Sequence, residues 1–398
     1  MSSQHDHDAR ERDVSGDVGS TDAERSAREW WAGIVEPGDS TAHALVSTLG
    51  ASRALDLVSA GATAAEIAEA LLATTGAGAG EITNLVDLIS TGLQRWEGRT
   101  GSAHNDSARR AADRCGARFL IPGDAEWPAS IDDLGEHAPL GLWVRGQLDV
   151  LPDPSVAIVG SRNSTGYGEH VTVEIASGLA ARGIGIVSGA AYGIDGHAHR
   201  AALASRGATV ALLAGGVDRP YPRGHSELIE RIAADGAVVS EVPCGATPTK
   251  WRFLQRNRLI SALASATVVV EAGWRSGSLN TAAHAATLGR PLAAVPGPVT
   301  SPTSAGCHRL LREHDAICVT TADEVAELAG VGGDAELLQP LRSATETRVL
   351  DAMSSRRPRT IDDIAARSGL DHDSVRACLG ELDVLGDARH TPNGWIMS

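Results

Sequence analysis

The sequence predicts an α/β protein: an open parallel sheet, preceded by a helical segment and followed by a small winged helix. Three observations predict it. Over residues 155–320 short apolar runs, rich in β-branched residues, alternate with stretches of helical spacing, the pattern of parallel strands buried on both faces. The first run, Val156-Ala-Ile-Val159, ends in Gly160 and is followed by Ser161, Arg162 and a helical stretch over Glu169–Ala181. The flanking regions lack such runs: residues 30–93 carry helical spacing, and 345–398 read as three helices closed by a hairpin.

Length and composition bound the answer. The 398 residues have room for two or three domains, and 42% hydrophobic content supports a substantial core. The net charge of −15 argues against a nonspecific nucleic-acid coat. It leaves room for a basic groove, because a groove acts through local potential. The five cysteines (Cys115, Cys244, Cys307, Cys318, Cys378) are scattered and contain no C-x-x-C, so neither a zinc site nor a disulfide framework is expected. A reduced, cytoplasmic protein fits this usage. No apolar run is long enough to span a membrane, and the polar N-terminus lacks the apolar segment of a signal peptide.

In chain order, residues 1–28 are polar and charged, and a disordered tail is expected there. His5 and His7 offer metal ligands, but a solvated tail is the plainer reading. Residues 29–100 form a helical domain punctuated by Gly50, Gly61 and the glycines of 76–80. Its helix–glycine–helix joints suit either a DNA backbone or helical packing. Residues 105–325 form the main domain. It is entered through a helix ending near Cys115 and two strands, Arg118–Ile121 and Leu142–Arg145, separated by the turn-rich Pro122–Pro128. Further strands are expected at Val156–Val159, Gly185–Ser188, Thr209–Leu213, Ala237–Ser240, Ala266–Glu271, Leu292–Val295 and Ile317–Val319. Residues 326–344 read as a linker and 345–398 as a winged helix-turn-helix. In the latter, Thr360-Ile-Asp-Asp363 caps the second helix and Asp371 or Asp373 the third, with Val375, Cys378, Leu379, Leu382 and Leu385 inward.

Open parallel sheets bind ligands at the carboxyl ends of their strands. There the sequence places Gly160-Ser161-Arg162, Ser188-Gly189 with Gly193-Ile-Asp195, Gly215-Gly216, Ser240-Glu241, Ser276-Gly277-Ser278 and Pro296-Gly297. A strand, a glycine turn and a helix N-terminus make an anion site, because free N–H groups and the helix dipole converge. Arg162 would add a planar fork for phosphate. A purely structural turn is the alternative, and the G-x-G-x-x-G spacing of dinucleotide binding is absent. Ser276-Gly277-Ser278 forms a second cradle. Lys250, Arg252, Arg256 and Arg258, with Asn257, form a basic cluster, and Trp251 or Phe253 could stack a base. An internal salt-bridge network is the competing account of that cluster. Two cradles and an arginine cluster along one rim suit a polyanion better than a single small phosphate, and Arg200 continues the rim.

Asp195-Gly-His-Ala-His199 raises a metal site, but His197 and His199 are two apart on a helix and face different ways. A hydrogen bond between Asp195 and His199 is expected instead. No catalytic triad or activated cysteine stands out, and no metal or cofactor is expected.

Together these residues resemble the DNA-processing protein A family (DprA, also called Smf). The resemblance rests on Ala157-Ile-Val-Gly-Ser-Arg162 with Tyr167-Gly168, Ser188-Gly189, Gly193-Ile-Asp195 with Ala198-His199, and Gly216-Val-Asp218 with Tyr221-Pro222. It continues through Ser240-Glu-Val-Pro243, Arg256-Asn-Arg258, Ser276-Gly-Ser-Leu279, and Pro296-Gly297 with Gly306-Cys307. It covers about 155–320 closely, with Pro122-Gly-Asp, Trp127-Pro128 and the winged helix also fitting; the N-terminal helices fit more loosely, as a sterile-alpha-motif-like or helix-hairpin-helix-like module. Leu254 and His225 depart from the usual Pro and Asn. The resemblance implies an extended Rossmann-like fold and a protein, not an enzyme, that binds single-stranded DNA in natural transformation or recombination. It implies protection of the strand, loading of a RecA recombinase and a homodimer through the Rossmann-like domain, with no nucleotide or metal. By carry-over, Arg162, Arg200, Arg256 and Arg258 would line the phosphate groove, with Gly160, Ser161, Gly277 and Ser278 giving close backbone approach.

Two other functions compete. One is a nucleotide or phosphoribosyl hydrolase of the lysine-decarboxylase-like (LOG) Rossmann group. The stretch Leu279-Asn-Thr-Ala-Ala-His-Ala-Ala286 lacks the carboxylate that cleavage at a glycosidic carbon needs. The other is a transcription factor reading DNA through the winged helix. Its third helix carries Asp373, Glu381 and Asp383 beside Arg376, a poor set for base edges.

Overall fold

The computed structural model describes residues 22–76, 82–99, 102–150, 153–331 and 343–397. They fall into two compact units divided near residue 332.

The first unit is built on a nine-stranded sheet. Its strands are β1 (Arg118–Leu120), β2 (Leu142–Gly146), β3 (Ser155–Val159), β4 (Gly185–Ser188), β5 (Thr209–Leu212), β6 (Ala237–Ser240), β7 (Ala266–Val269), β8 (Leu292–Ala294) and β9 (Ile317–Cys318). The order is β1-β2-β6-β5-β4-β3-β7-β8-β9. From β6 to β9 all neighbours are parallel, whereas β1 and β2 extend the edge antiparallel. Every residue of β3 to β7 is buried, which is why these runs are apolar without alternation. Helices α7 (Gly166–Ala181), α8 (Ile194–Ala204), α9 (Ser226–Asp235), α10 (Lys250–Leu263), α11 (Ser278–Thr287), α12 (Ala305–Glu313) and α13 (Ala322–Leu328) supply the crossovers and cover the two faces.

The helical segment belongs to this same unit. A helix over residues 22–34 (α1) is followed by α2 (Ser40–Leu49), α3 (Ala51–Ser59), α4 (Ala64–Thr75), α5 (Ile82–Trp96) and α6 (Ser102–Cys115). Trp31 and Trp96 meet edge to face at its centre, 5.2 Å apart, and Leu140 from the sheet side joins that core. Polar ties complete the seam: Arg25 forks onto Asp124 at 2.7 Å, and Arg28 donates to the Leu140 carbonyl at 3.0 Å.

Two expected boundaries are corrected. The tail expected over 1–28 extends too far: residues 22–28 are helical and Ala27 is buried, while 1–21 lie outside the described residues. The linker expected from 326 begins too early. α13 runs to Leu328 behind a capping box of Thr321 and Glu324, and Val325 and Ala326 are buried.

The second unit holds α14 (Ala344–Ala352), α15 (Ile361–Ser368), α16 (His372–Val384) and the hairpin β10 (Ala388–Thr391)–β11 (Gly394–Met397), a winged helix. Asp371 caps α16 by accepting from Ser374 N at 2.9 Å. Val375, Cys378, Leu379 and Leu382 are buried as expected, but Leu385 lies past the helix end and is exposed.

Candidate functional site

β3 and β7 are neighbours, yet the chain leaves them in opposite directions, toward β4 and toward β8. Their carboxyl ends therefore border a crevice, the switch point of a doubly wound sheet. A cleft of about 860 Å³ opens there. Its walls are the Gly160–Asn163 turn, the first turns of α10 and the Arg275–Ser278 loop.

Backbone contacts set the first wall. Ser161 N donates to the Glu271 carbonyl at 2.7 Å. A Cβ on Gly160 would meet that oxygen at 2.9 Å, so only glycine allows the approach. The Glu271 carboxylate is spent on the same turn, accepting from Thr165 N at 2.9 Å, Thr165 Oγ1 at 2.6 Å and Thr303 Oγ1 at 3.1 Å. It does not hold Arg162. Arg162 is exposed and its Cζ lies 4.9 Å from the centre of the Phe253 ring.

α10 supplies the second wall. Thr249 caps it, accepting from Arg252 N at 3.2 Å. Arg256 forms the floor, buried, donating to the Gly189 carbonyl at 2.8 Å and to the Leu212 carbonyl. Burial draws its guanidinium down to about 10, against the pull of Asp195, so it is still charged at neutral pH. Burial also pushes the Asp195 carboxyl up, with the Arg256 charge opposing. Asp195 accepts from Gly189 N at 3.2 Å. Asn257 ties α10 to the third wall, donating to Asn280 Oδ1 at 3.2 Å, and Ser276 and Ser278 share a hydrogen bond of 2.8 Å.

The cleft thus gathers Gly160, Ser161, Arg162, Arg256, Asn257, Ser276, Gly277 and Ser278 from the expected set. It leaves out three arginines. Arg252 forks onto Glu36 of the helical segment, both contacts at 2.9 Å. Arg258 is buried in a pair with Glu241, at 2.7 and 2.8 Å. Arg200 donates to His225 Nε2 at 2.9 Å, and the His225 ring in turn donates from Nδ1 to the Ala190 carbonyl at 3.0 Å. For Arg252 and Arg258 the salt-bridge account of the basic cluster holds. Lys250, Arg275 and Tyr221 line the cleft instead. Arg275 was legible as the residue beside the Ser-Gly-Ser cradle, and Lys250 as part of the basic cluster. Among the described residues, no ion pair engages Arg162, Lys250 or Arg275.

Asp195 and His199 do not bond to each other. His199 donates from Nδ1 to Thr209 Oγ1 at 2.7 Å, because Thr209 already donates to the Ile186 carbonyl. Among the described residues no His, Cys, Asp and Glu cluster suits a metal ion, and no helix is long and apolar enough to cross a membrane. α11 carries no Asp or Glu. Asp195, which lines the cleft, and Glu271, behind the Gly160 turn, are both buried and bonded to backbone or threonine.

Fold and site define the class: a doubly wound α/β protein with a cationic cleft at its switch point, carrying a winged helix. The family model of DNA recombination-mediator protein A matches residues 118–330, and that of the DprA winged helix domain matches 334–394. The chain belongs to this family, DprA or Smf. A DNA processing protein DprA of Mycobacterium tuberculosis is 47% identical over 322 residues, 74% of this chain and 82% of the relative. Protein Smf of Escherichia coli is 42% identical over 210 residues, 52% of this chain and 56% of the relative. The solved DprA of Streptococcus pneumoniae aligns with a TM-score of 0.59 at 28% identity, covering 77% of this chain and 97% of that one.

Proposed function

We propose that the chain binds single-stranded DNA in the switch-point cleft, protects it and delivers it to a RecA-type recombinase, acting without catalysis, nucleotide or metal. One observation carries the reading: three unpaired cations, Arg162, Lys250 and Arg275, surround a glycine-lined cleft in a chain of net charge −15. Unpaired cations facing solvent retain their full attraction for phosphate, whereas paired ones must first break a bond. The cleft is open and unbranched by carboxylates on α11, which suits a passing backbone better than bond cleavage. Cytoplasmic work as a homodimer through the Rossmann-like unit completes the proposal.

The test is a filter-binding titration of a mixed-sequence single strand and its duplex across a salt series. Single-strand affinity should exceed duplex affinity, and its logarithm should fall linearly with the logarithm of salt. Equal affinities or a flat salt response would refute the reading. A recombinase strand-exchange assay with and without the protein tests delivery separately.

A further inference from the structure

Aromatic residues are scarce in this chain: eight Trp, three Tyr and two Phe. Yet all three tyrosines and two tryptophans are exposed, Tyr167 at 41%, Tyr192 at 47%, Tyr221 at 46%, Trp251 at 55% and Trp274 at 57%. Their positions share one rule. Tyr167 follows β3, Tyr192 follows β4, Tyr221 follows β5, Trp251 follows β6 and Trp274 follows β7. Each lies in the loop leaving its strand or in the first turn of the next helix. One exposed ring therefore stands beyond the carboxyl end of each of five parallel strands, and no other aromatic ring among the described residues is as exposed.

The fold fixes several of these rings without covering them. Tyr167 donates its hydroxyl to the Pro296 carbonyl at 2.6 Å, and the Tyr192 hydroxyl accepts from Gly224 N at 3.2 Å. Tyr221 sits 5.6 Å from the Phe253 ring, on which Arg162 rests. Arg309 lies over Trp274, 5.2 Å from the ring centre. Cations accompany some of the rings: Arg162 lies over the Phe253 ring that Tyr221 packs against, Arg309 lies over Trp274, and Lys250 and Arg275 adjoin Trp251 and Trp274 in sequence. Rings for base faces and cations for phosphates are what an unpaired strand requires; a duplex keeps its base faces in its own stack.

We propose that these five rings form a stacking rail for the unpaired bases of a single strand, extending base contact along the sheet rim beyond the cleft. The rail rests on the single-strand reading above and adds to it. β5, β4, β3 and β7 are adjacent, so the segments that carry Tyr221, Tyr192, Tyr167 and Trp274 leave neighbouring strands, whose ends span about 15 Å of rim at the usual strand spacing.

The test compares two ligands on the full chain at one salt concentration: an oligothymidine of about twenty nucleotides and an abasic strand with the same number of phosphates. The protein should bind the oligothymidine at least about tenfold more tightly. Tyr192→Ala, Trp251→Ala and Trp274→Ala should each lower oligothymidine affinity about tenfold while leaving abasic affinity and the melting temperature unchanged. Equal wild-type affinity for both strands would overturn the rail and leave the cleft reading standing. Equal losses on both strands in the variants would also overturn it, since the rings would then act through the fold. Failure of the wild type to bind either strand would bring down the rail and the single-strand reading together.

Discussion

The Arg162 guanidinium lies over the Phe253 ring, its Cζ 4.9 Å from the ring centre, and both residues line the cleft. The contact is an exposed one, and no ion pair among the described residues engages the Arg162 guanidinium. Arg162→Ala should therefore weaken single-strand binding about ten- to a hundredfold, the worth of one ionic hydrogen-bonding fork. The salt slope should fall by about one phosphate's share. The melting temperature should hold, because an exposed cation–π contact contributes only about 0.5–1 kcal/mol. Filter binding and thermal melts on the same preparation check both halves, and Arg162→Lys should recover only part of the binding.

The two arginines outside the cleft should behave oppositely. Arg258 is buried and pairs with Glu241, whose side chain keeps 12% exposure and also accepts from Gly38 N, so Arg258→Leu leaves a largely desolvated carboxylate short of its main partner and should cost about 3 kcal/mol of stability. Arg252 and Glu36 keep partial solvent access, and their coupling should be about 1 kcal/mol in a double-mutant cycle. Burial works against the Glu36 charge, but Arg252 and Arg99 outweigh it and hold the carboxyl below its usual range. That contribution is present above the unfolded value and is lost as pH falls through the folded one. Denaturant titrations at neutral and acidic pH read both effects.

His199 should make the fold acid-sensitive. Burial holds its imidazole down at about 3, with the nearby His225, Arg256 and Arg200 adding to the effect. The unfolded chain accepts a proton near 6.5 that the native state refuses, so this contribution is full above that value and is lost as pH falls toward the folded one. His199→Asn preserves a donor to Thr209 Oγ1 and removes the titration. Its melting temperature should fall less than that of the wild type between about pH 7.5 and about pH 5. Identical acid slopes would remove His199 from the account.

Ending the chain at residue 331 should leave single-strand affinity within about threefold, a difference of less than 1 kcal/mol. The cleft lies wholly within the first unit, and the exposed Arg376 of α16 is engaged by Asp373 at 3.1 Å. A larger loss in the folded, truncated protein would make the winged helix a principal DNA contact.

Much of this was legible in the chain itself. Apolar runs ending in glycine located the central strands, and Gly160 with Ser276–Ser278 located two of the three walls of the cleft. The destinations of the arginines were not legible. Arg252 finds its carboxylate 216 residues away, and no local pattern on α10 announces Glu36. Helical spacing says which residues share a face but not what that face meets. The expected Asp195–His199 bond failed for a similar reason: Thr209, on the next strand, offers an oxygen whose own proton is already committed to Ile186. The tail was drawn too long because α1 opens with small and charged residues, whose burial depends on partners such as Asp124.

Arg256 gives the cleft a character its outer cations lack. Anchored to the carbonyls of Gly189 and Leu212, where β4 and β5 end, it cannot swing outward to meet a ligand. Its charge is a stationary field at the bottom of the cleft, present before anything arrives and ordered at no entropic cost on binding. Arg162, Lys250 and Arg275 stand in solvent above it. A polymer of identical charges meeting one fixed centre and several adjustable ones has many near-equivalent registers. On the proposed reading a bound strand should step along by one unit while the floor stays still, so the cleft should work as a bearing rather than as a lock.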